Sequence, residues 1–158
     1  MEQALVRKGE PRDLPATLDL IRELAVYEKA PDAVITTVES MEKDGFGPDK
    51  VFDLWVCELE GEIVGIALCY VRYSTWNGRC MYLEDLVVRE AHRGKGYGAL
   101  LFEEVMRETR KKGYAQMQWQ VLDWNEPALN FYRKYRATLD GEWINGILTQ
   151  KDIEGAGF

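Results

Sequence analysis

Three groups of residues in this chain have types and spacings suited to chemistry. The first is Arg93-Gly94-Lys95-Gly96-Tyr97-Gly98, which lies between an apolar run ending at Val88 and a helical pattern. Glycines let a backbone come close to an anion, and the unpaired N–H groups of a first helical turn point outward at it. The helix end carries a partial positive charge, to which Arg93 and Lys95 add whole ones. The second group is the adjacent carboxylates Glu84 and Asp85, in the run just upstream. A carboxylate can hold a cation and accept its proton. Neighbours on a strand point to opposite faces, so only one of the pair, taken here as Glu84, should face a ligand directly. The third is Tyr132. A phenol is protonated at neutral pH and can pass its proton to a leaving group. Periodicity alone makes Tyr132 a core aromatic beside Phe131.

The glycine loop is neither of the two familiar nucleotide loops. It lacks a Gly-Lys-Ser/Thr ending, and the spacing of Gly94, Gly96 and Gly98 is not Gly-x-Gly-x-x-Gly.

Around these groups the pattern predicts alternating elements. An edge strand fits residues 3–7. A helix over about 13–28 follows, with Asp13 as N-cap and Pro15 in the first turn. Thr36 and Glu39 fit a capping box for a short second helix, stopped by Gly45-Phe46-Gly47-Pro48. Strands are expected at 52–59, 63–73 and 80–88, the first two joined by a turn at Glu60-Gly61-Glu62. A helix over about 96–112 ends in Arg110, Lys111 and Lys112 before Gly113. A strand at 117–122 precedes a helix with Asn125 as N-cap and Pro127 in its first turn. Residues 139–151 should form two more strands, and the last residues should fray.

The totals exclude several classes. At 158 residues one domain, 1–158, is expected, with no linker, repeat or low-complexity segment. A net charge of −7 argues against nucleic acid and suits a cationic ligand, although acidity also serves solubility. No apolar run approaches the roughly 18 residues that a membrane span requires. No secretory leader is expected. Cys57, Cys69 and Cys80 have no metal-ligand spacing and read as reduced, buried thiols of a cytoplasmic protein. No metal is expected.

Arg-Gly-x-Gly-x-Gly after a strand resembles the pyrophosphate loop of the GNAT superfamily of acetyl-CoA-dependent N-acetyltransferases. Four more blocks are similar to the diamine acetyltransferase family: Leu20 to Glu28, Asp44-Gly45-Phe46-Gly47, Tyr82-Leu83-Glu84-Asp85, and Trp124 to Tyr132. That family comprises spermidine/spermine N1-acetyltransferases and their thialysine-acetylating relatives. The resemblance covers residues from about 4 to about 150. It implies a mixed α/β fold, with a mostly antiparallel twisted sheet of about seven strands flanked by about four helices.

The resemblance also implies roles. Arg93, Gly94, Lys95, Gly96, Tyr97, Gly98 and Ala99 would hold the CoA pyrophosphate. Leu86, Val87 and Val88 would pair with the pantetheine arm across a gap opened by a bulge and by splayed fourth and fifth strands, and an N–H of Leu86 or Val87 would polarise the thioester. Asn125, Glu126, Pro127 and Ala128 would also touch CoA. Arg133 and Lys134 read either as phosphate contacts or as a solvated helix face. Tyr132 becomes the general acid, and Glu84 the carboxylate that receives the amine's proton. Tyr27, Glu28, Trp76, Gln118, Trp119 and Gln120 would line the acceptor side. The expected reaction is direct attack of a primary amine of a small cation, such as thialysine, a diamine or a polyamine, on acetyl-CoA. The alternatives are acetylation of a protein lysine or N-terminus, or a non-catalytic sensor of acetyl-CoA or polyamine. A homodimer is implied too.

Two positions depart from the pattern. Ser74-Thr75-Trp76 replaces an acid-bearing loop of the polyamine-acetylating members, as in the thialysine branch. Arg136 stands where glycine is usual after the Tyr-Arg-Lys helix end.

Overall fold

A computed structural model describes residues 3–158. It divides into two compact units, Met1–Gln120 and Val121–Phe158. The first holds one five-stranded sheet in the order β1-β2-β3-β4-β5, comprising Leu5–Lys8, Asp53–Leu59, Glu62–Ser74, Gly78–Val88 and Gln116–Trp119. Neighbours are antiparallel except β4 and β5, which are parallel. The β2–β3 turn has positive φ at both Glu60 and Gly61, the backbone twist that a two-residue hairpin needs.

Both faces of this sheet are covered. On one lie α1 (Leu14–Tyr27) and α2 (Val38–Phe46). Leu14, Leu18 and Leu20 of α1 and Met41 of α2 bury against Leu54, Val56, Ile66, Leu68 and Val87. Each such side chain contributes about 1.5–3 kcal/mol when fully buried. Against the sheet packs α3 (Tyr97–Lys111), with Leu101, Phe102 and Val105 buried. Gly65 permits that approach: a Cβ there would stand 3.0 Å from the Leu101 side chain and 3.1 Å from the Val87 carbonyl oxygen.

Two helix entrances differ from expectation. Asp13 does not cap α1 with its side chain. It is buried, and its carboxylate accepts two hydrogen bonds from the Arg7 guanidinium, at 2.8 and 3.0 Å, and one from the Glu10 N–H. Burial alone would raise its pKa, but these bonds outweigh burial and hold it below the usual range. A buried carboxylate takes the strongest donor within reach, and here that is a guanidinium. At α2 the cap is Thr37, one residue later than expected: Thr37 Oγ1 accepts from the Ser40 N–H, and Ser40 Oγ accepts from the Thr37 N–H. Two hydroxyls close this box, so Glu39 is not needed.

The second unit holds α4 (Glu126–Arg133) and α5 (Gln150–Glu154). The two strands expected within 139–151 are not there: residues 139–149 form no strand, so the described residues hold five strands and five helices. The segment has β-forming residues, but Trp143, Ile144, Ile147 and Leu148 are exposed, and a strand needs a ladder partner for its backbone. Thr149 and Asp152 form a capping box that starts α5 instead. Among the described residues no helix is long and apolar enough to cross a membrane.

Candidate active site

The centre of the first unit is a parting between β4 and β5. The two strands pair from Cys80↔Gln116 to Leu83↔Trp119, where β5 ends. β4 continues to Val88, where, among the described residues, only β3 pairs with it. Alternate N–H and C=O groups of residues 84–88 therefore face the gap without a strand partner. Such an edge can receive an extended amide-bearing chain in place of a strand. Leu86, Val87 and Val88 lie on it.

The strand leads through a short 3-10 turn, Glu90–His92, into the glycine loop. Gly94 and Gly96 have φ of +76° and +89°, and a Cβ at either would meet nothing within 4 Å. The chain turns left-handed twice and leaves open space beside the backbone at the start of α3. Tyr97, Gly98 and Ala99 form the first turn, whose N–H groups have no helical acceptor. Lys95 is exposed. Arg93 is held rather than free. Its Nε donates to the Val88 carbonyl oxygen at 3.0 Å, its guanidinium lies 3.6 Å from Glu23, and it stacks over the Tyr27 ring at 5.5 Å. Glu23 also accepts from the Glu90 N–H. The end of α1 is thus tied to the loop through Glu23, a residue that sequence reasoning did not single out.

The carboxylates are arranged differently from the expected alternation. The β3–β4 register shifts between Leu68 and Cys69, which pair with Asp85 and Leu83. Glu84 is the extra residue, so the ladder resumes one step out of phase. Asp85 now shares the face of Leu68, which belongs to the α1-covered core. Tyr82 is on that face as well, paired with Tyr70 and 5.3 Å from it ring to ring. Glu84 reaches the same side: its Oε2 accepts from the Tyr70 hydroxyl at 3.0 Å. Both carboxylates therefore serve one face, because a bulge places two residues opposite one. Burial, then Glu84 and Glu28, push the Asp85 carboxyl up to about 6. Burial also raises Glu28, which follows α1. Tyr70, raised to about 12 chiefly by burial and next by its bond to Glu84, stays a donor at neutral pH.

The other acceptor-side residues divide. Tyr27 and Glu28 lie where α1 ends, with Tyr27 under Arg93. Gln118 pairs with Tyr82 and takes a 3.4 Å contact from Arg72. Trp119 packs edge-on against Phe102 of α3, 5.4 Å between rings, so it belongs to the opposite layer. Gln120 lies beyond the end of β5. Trp76 is 87% exposed in the β3–β4 turn. Strand rise puts that turn roughly 20 Å from Glu84, so the fold does not bring it to the carboxylates. Ser74 Oγ accepts from the Trp76 and Asn77 N–H groups and so closes the turn.

In the second unit, the Asn125 side chain accepts from the Ala128 N–H and starts α4 through Glu126 and Pro127. Tyr132 is buried, with the Phe131 ring edge-on at 5.3 Å. Arg133 pairs with Glu126 and donates to Asn130, as a solvated helix face does. Cys57, Cys69 and Cys80 are buried and free, and burial pushes the Cys69 thiol up to about 12. Among the described residues no group of three or more His, Cys, Asp or Glu is placed to hold a metal ion.

A sheet parted beside a glycine-rich helix entrance is the frame of an acyl-CoA-dependent transferase. The chain belongs to the acetyltransferase (GNAT) family, whose model matches residues 18–136. It is an acetyl-CoA-dependent N-acetyltransferase with the mixed α/β fold of that family. Among similar proteins is thialysine N-epsilon-acetyltransferase of Sus scrofa, 39% identical, the match covering 84% of this chain and 83% of that protein. Spermidine/spermine N(1)-acetyltransferase-like protein 1 of Homo sapiens is 32% identical, over 89% of this chain and 21% of that protein. An aminoglycoside N-acetyltransferase solved in complex with CoA shares the fold at TM-score 0.74 and 16% identity, covering 95% of this chain and 97% of its own. The open loop at Gly94 and Gly96 leaves room for an anion beside the first turn of α3.

Proposed function

We propose that this acetyltransferase acts on a primary amine of a small cation, of the class that includes thialysine, diamines and polyamines. The observation that carries the reading is the bulge on β4. It turns Glu84 and Asp85 to one face, Asp85 within the field of Glu28, just where β5 stops and the strand edge opens. Carboxylates gathered there suit an ammonium group. The similarity to thialysine and spermidine/spermine acetyltransferases supports the same class.

In this reading Arg93, Lys95 and the first turn of α3, from Tyr97 to Ala99, hold the pyrophosphate. The β4 edge aligns the pantetheine arm, and an N–H of Leu86 or Val87 polarises the thioester carbonyl. Glu84 and Glu28 hold the ammonium, with Tyr27 and Gln118 beside them. Tyr132, supported by the Trp124–Tyr132 run rather than by geometry, protonates the departing sulfur. One domain of residues 1–158 carries the whole reaction. The three unpaired, buried cysteines favour a reducing compartment, hence the cytoplasm. The exposed Trp143, Ile144, Ile147 and Leu148 favour a homodimer.

The test is release of CoA thiol from acetyl-CoA with thialysine, lysine, putrescine, spermidine, spermine and a lysine peptide. Ser74, occupied in closing its turn, leaves that loop without an added acid, so thialysine should exceed spermidine. Preference for the peptide would overturn the small-amine reading. Light scattering in solution tests the dimer.

A further inference from the structure

Two carboxylates side by side on β4 do not sit in the same environment. Glu84 is exposed and engaged, accepting the Tyr70 hydroxyl at 3.0 Å. Asp85 is more enclosed, opposite Leu68 on the face that α1 covers. The charged groups acting on it are both negative: Glu84 from its own strand and Glu28 from the end of α1. From β3 the nearest titratable group on that face is Tyr70, whose proton is directed at Glu84. Paired carboxylates whose surroundings differ in this way divide labour, and the enclosed one is suited to exchanging protons.

We propose that Asp85 is the proton acceptor of the reaction, while Glu84, fixed by Tyr70, holds the ammonium in place. The inference rests on the small-amine reading above. The bulge is what makes it possible, since regular alternation would turn Asp85 away from Glu84 and Tyr70. Burial and two like charges bring the Asp85 carboxyl up to about 6. The gap in acidity between it and a bound ammonium narrows by the same amount, which makes it a better base than an ordinary carboxylate.

The step balances as follows. The ammonium gives one proton to the Asp85 carboxylate, directly or through one water. The freed lone pair attacks the thioester carbon, the C–N bond forms, and the C–S bond breaks. The leaving sulfur takes up, through the general acid of the reaction, the second proton lost by nitrogen. Asp85 returns its proton to solvent, so one proton is released per amide formed.

Profiles of kcat/KM against pH with thialysine and acetyl-CoA test this in the wild type, Asp85→Asn and Glu84→Gln. The wild type should show an acid limb with a midpoint about 6. Asp85→Asn should lose that limb and fall about 10²–10⁴-fold at pH 7. Its activity should climb with pH toward the amine's own ionisation, and its KM for acetyl-CoA should not change. Glu84→Gln should keep the limb at lower pH, because a repelling charge is gone, and should act mainly on the amine KM. Carbon-13 carboxyl spectra of the protein alone give a readout independent of turnover. One carboxyl should titrate near the same midpoint and be missing from Asp85→Asn. An acid limb that survives in Asp85→Asn, or spectra without such a carboxyl, would overturn the assignment to Asp85 alone. A wild type inactive with every amine overturns the small-amine reading, and the proton role with it.

Discussion

The charge on Asp85 is a cost to folding. A carboxyl whose folded pKa lies above its unfolded value is protonated more readily in the native state, so its ionisation destabilises the fold. Well below pH 4 both states are protonated and no cost exists; it grows as pH rises from the unfolded value near 4 to the folded value of about 6 and is complete above it. Removing the charge should therefore help where activity suffers. Asp85→Asn should raise stability at pH 7 to 8 by on the order of 2 kcal/mol, or several degrees in Tm, and by much less near pH 4. Urea denaturation at the two pH values checks it. A variant less stable at pH 7, or a gain that persists in full at pH 4, would mean that the carboxyl is not under this strain. Losing function while gaining stability is the usual mark of a site held against its own folding preference. Asp13 is the contrast, a buried carboxylate with two guanidinium hydrogen bonds, whose charge the fold favours.

At the scale of elements, turns decide what the site can do. Gly96 has a φ of +89° where it opens α3. Gly96→Ala places a Cβ in a left-handed position, at a cost of about 1–2 kcal/mol, and distorts the loop, so the KM for acetyl-CoA should rise at least about tenfold with the amine KM little changed. An unchanged acetyl-CoA KM would remove this loop from the cosubstrate site. After α4 the opposite case holds. Arg136 has a φ of +58°, so this non-glycine residue pays for a conformation that glycine adopts freely. Arg136→Gly should stabilise by about 0.5–1 kcal/mol in thermal unfolding; a loss instead would mean that the side chain earns its place by contacts. Both sites were legible in the sequence, one as a glycine loop and the other as a missing glycine. The cores of α1 and β2 to β4 were legible too, because apolar periodicity sets them locally; on α3, Leu101 and Val105 of the apolar set Leu100, Leu101, Val105 and Met106 are buried, and Phe102 completes the face while Leu100 and Met106 are exposed. The common face of Glu84 and Asp85 was not, since a bulge depends on the register against Leu68 and Cys69, which the β4 sequence does not carry. Nor was Glu23, whose partners Glu90 and Arg93 are close in space and far along the chain. Residues 139–151 read as two more strands, but a sequence cannot supply a pairing partner.

Over the whole molecule, a charge of −7 meets two substrates of opposite sign. The cosubstrate is an anion and the proposed acceptor a cation. In the proposed site, acidic surface residues would attract the amine at long range, whereas Arg93, Lys95 and the α3 entrance would draw a cosubstrate phosphate at short range. Arg93 is partly neutralised by Glu23 before any phosphate arrives. Long-range attraction is screened over a Debye length of about 10 Å at 0.1 M salt, while close contacts are screened much less. Raising the salt from about 20 to about 200 mM should therefore lower kcat/KM for spermidine severalfold. Thialysine carries its own carboxylate, so its value should fall less. Initial rates at saturating acetyl-CoA would show it. Equal salt dependence for the two amines would mean that the overall charge serves solubility alone, and that Glu28, Glu84 and Asp85 recognise the cation only after it has entered.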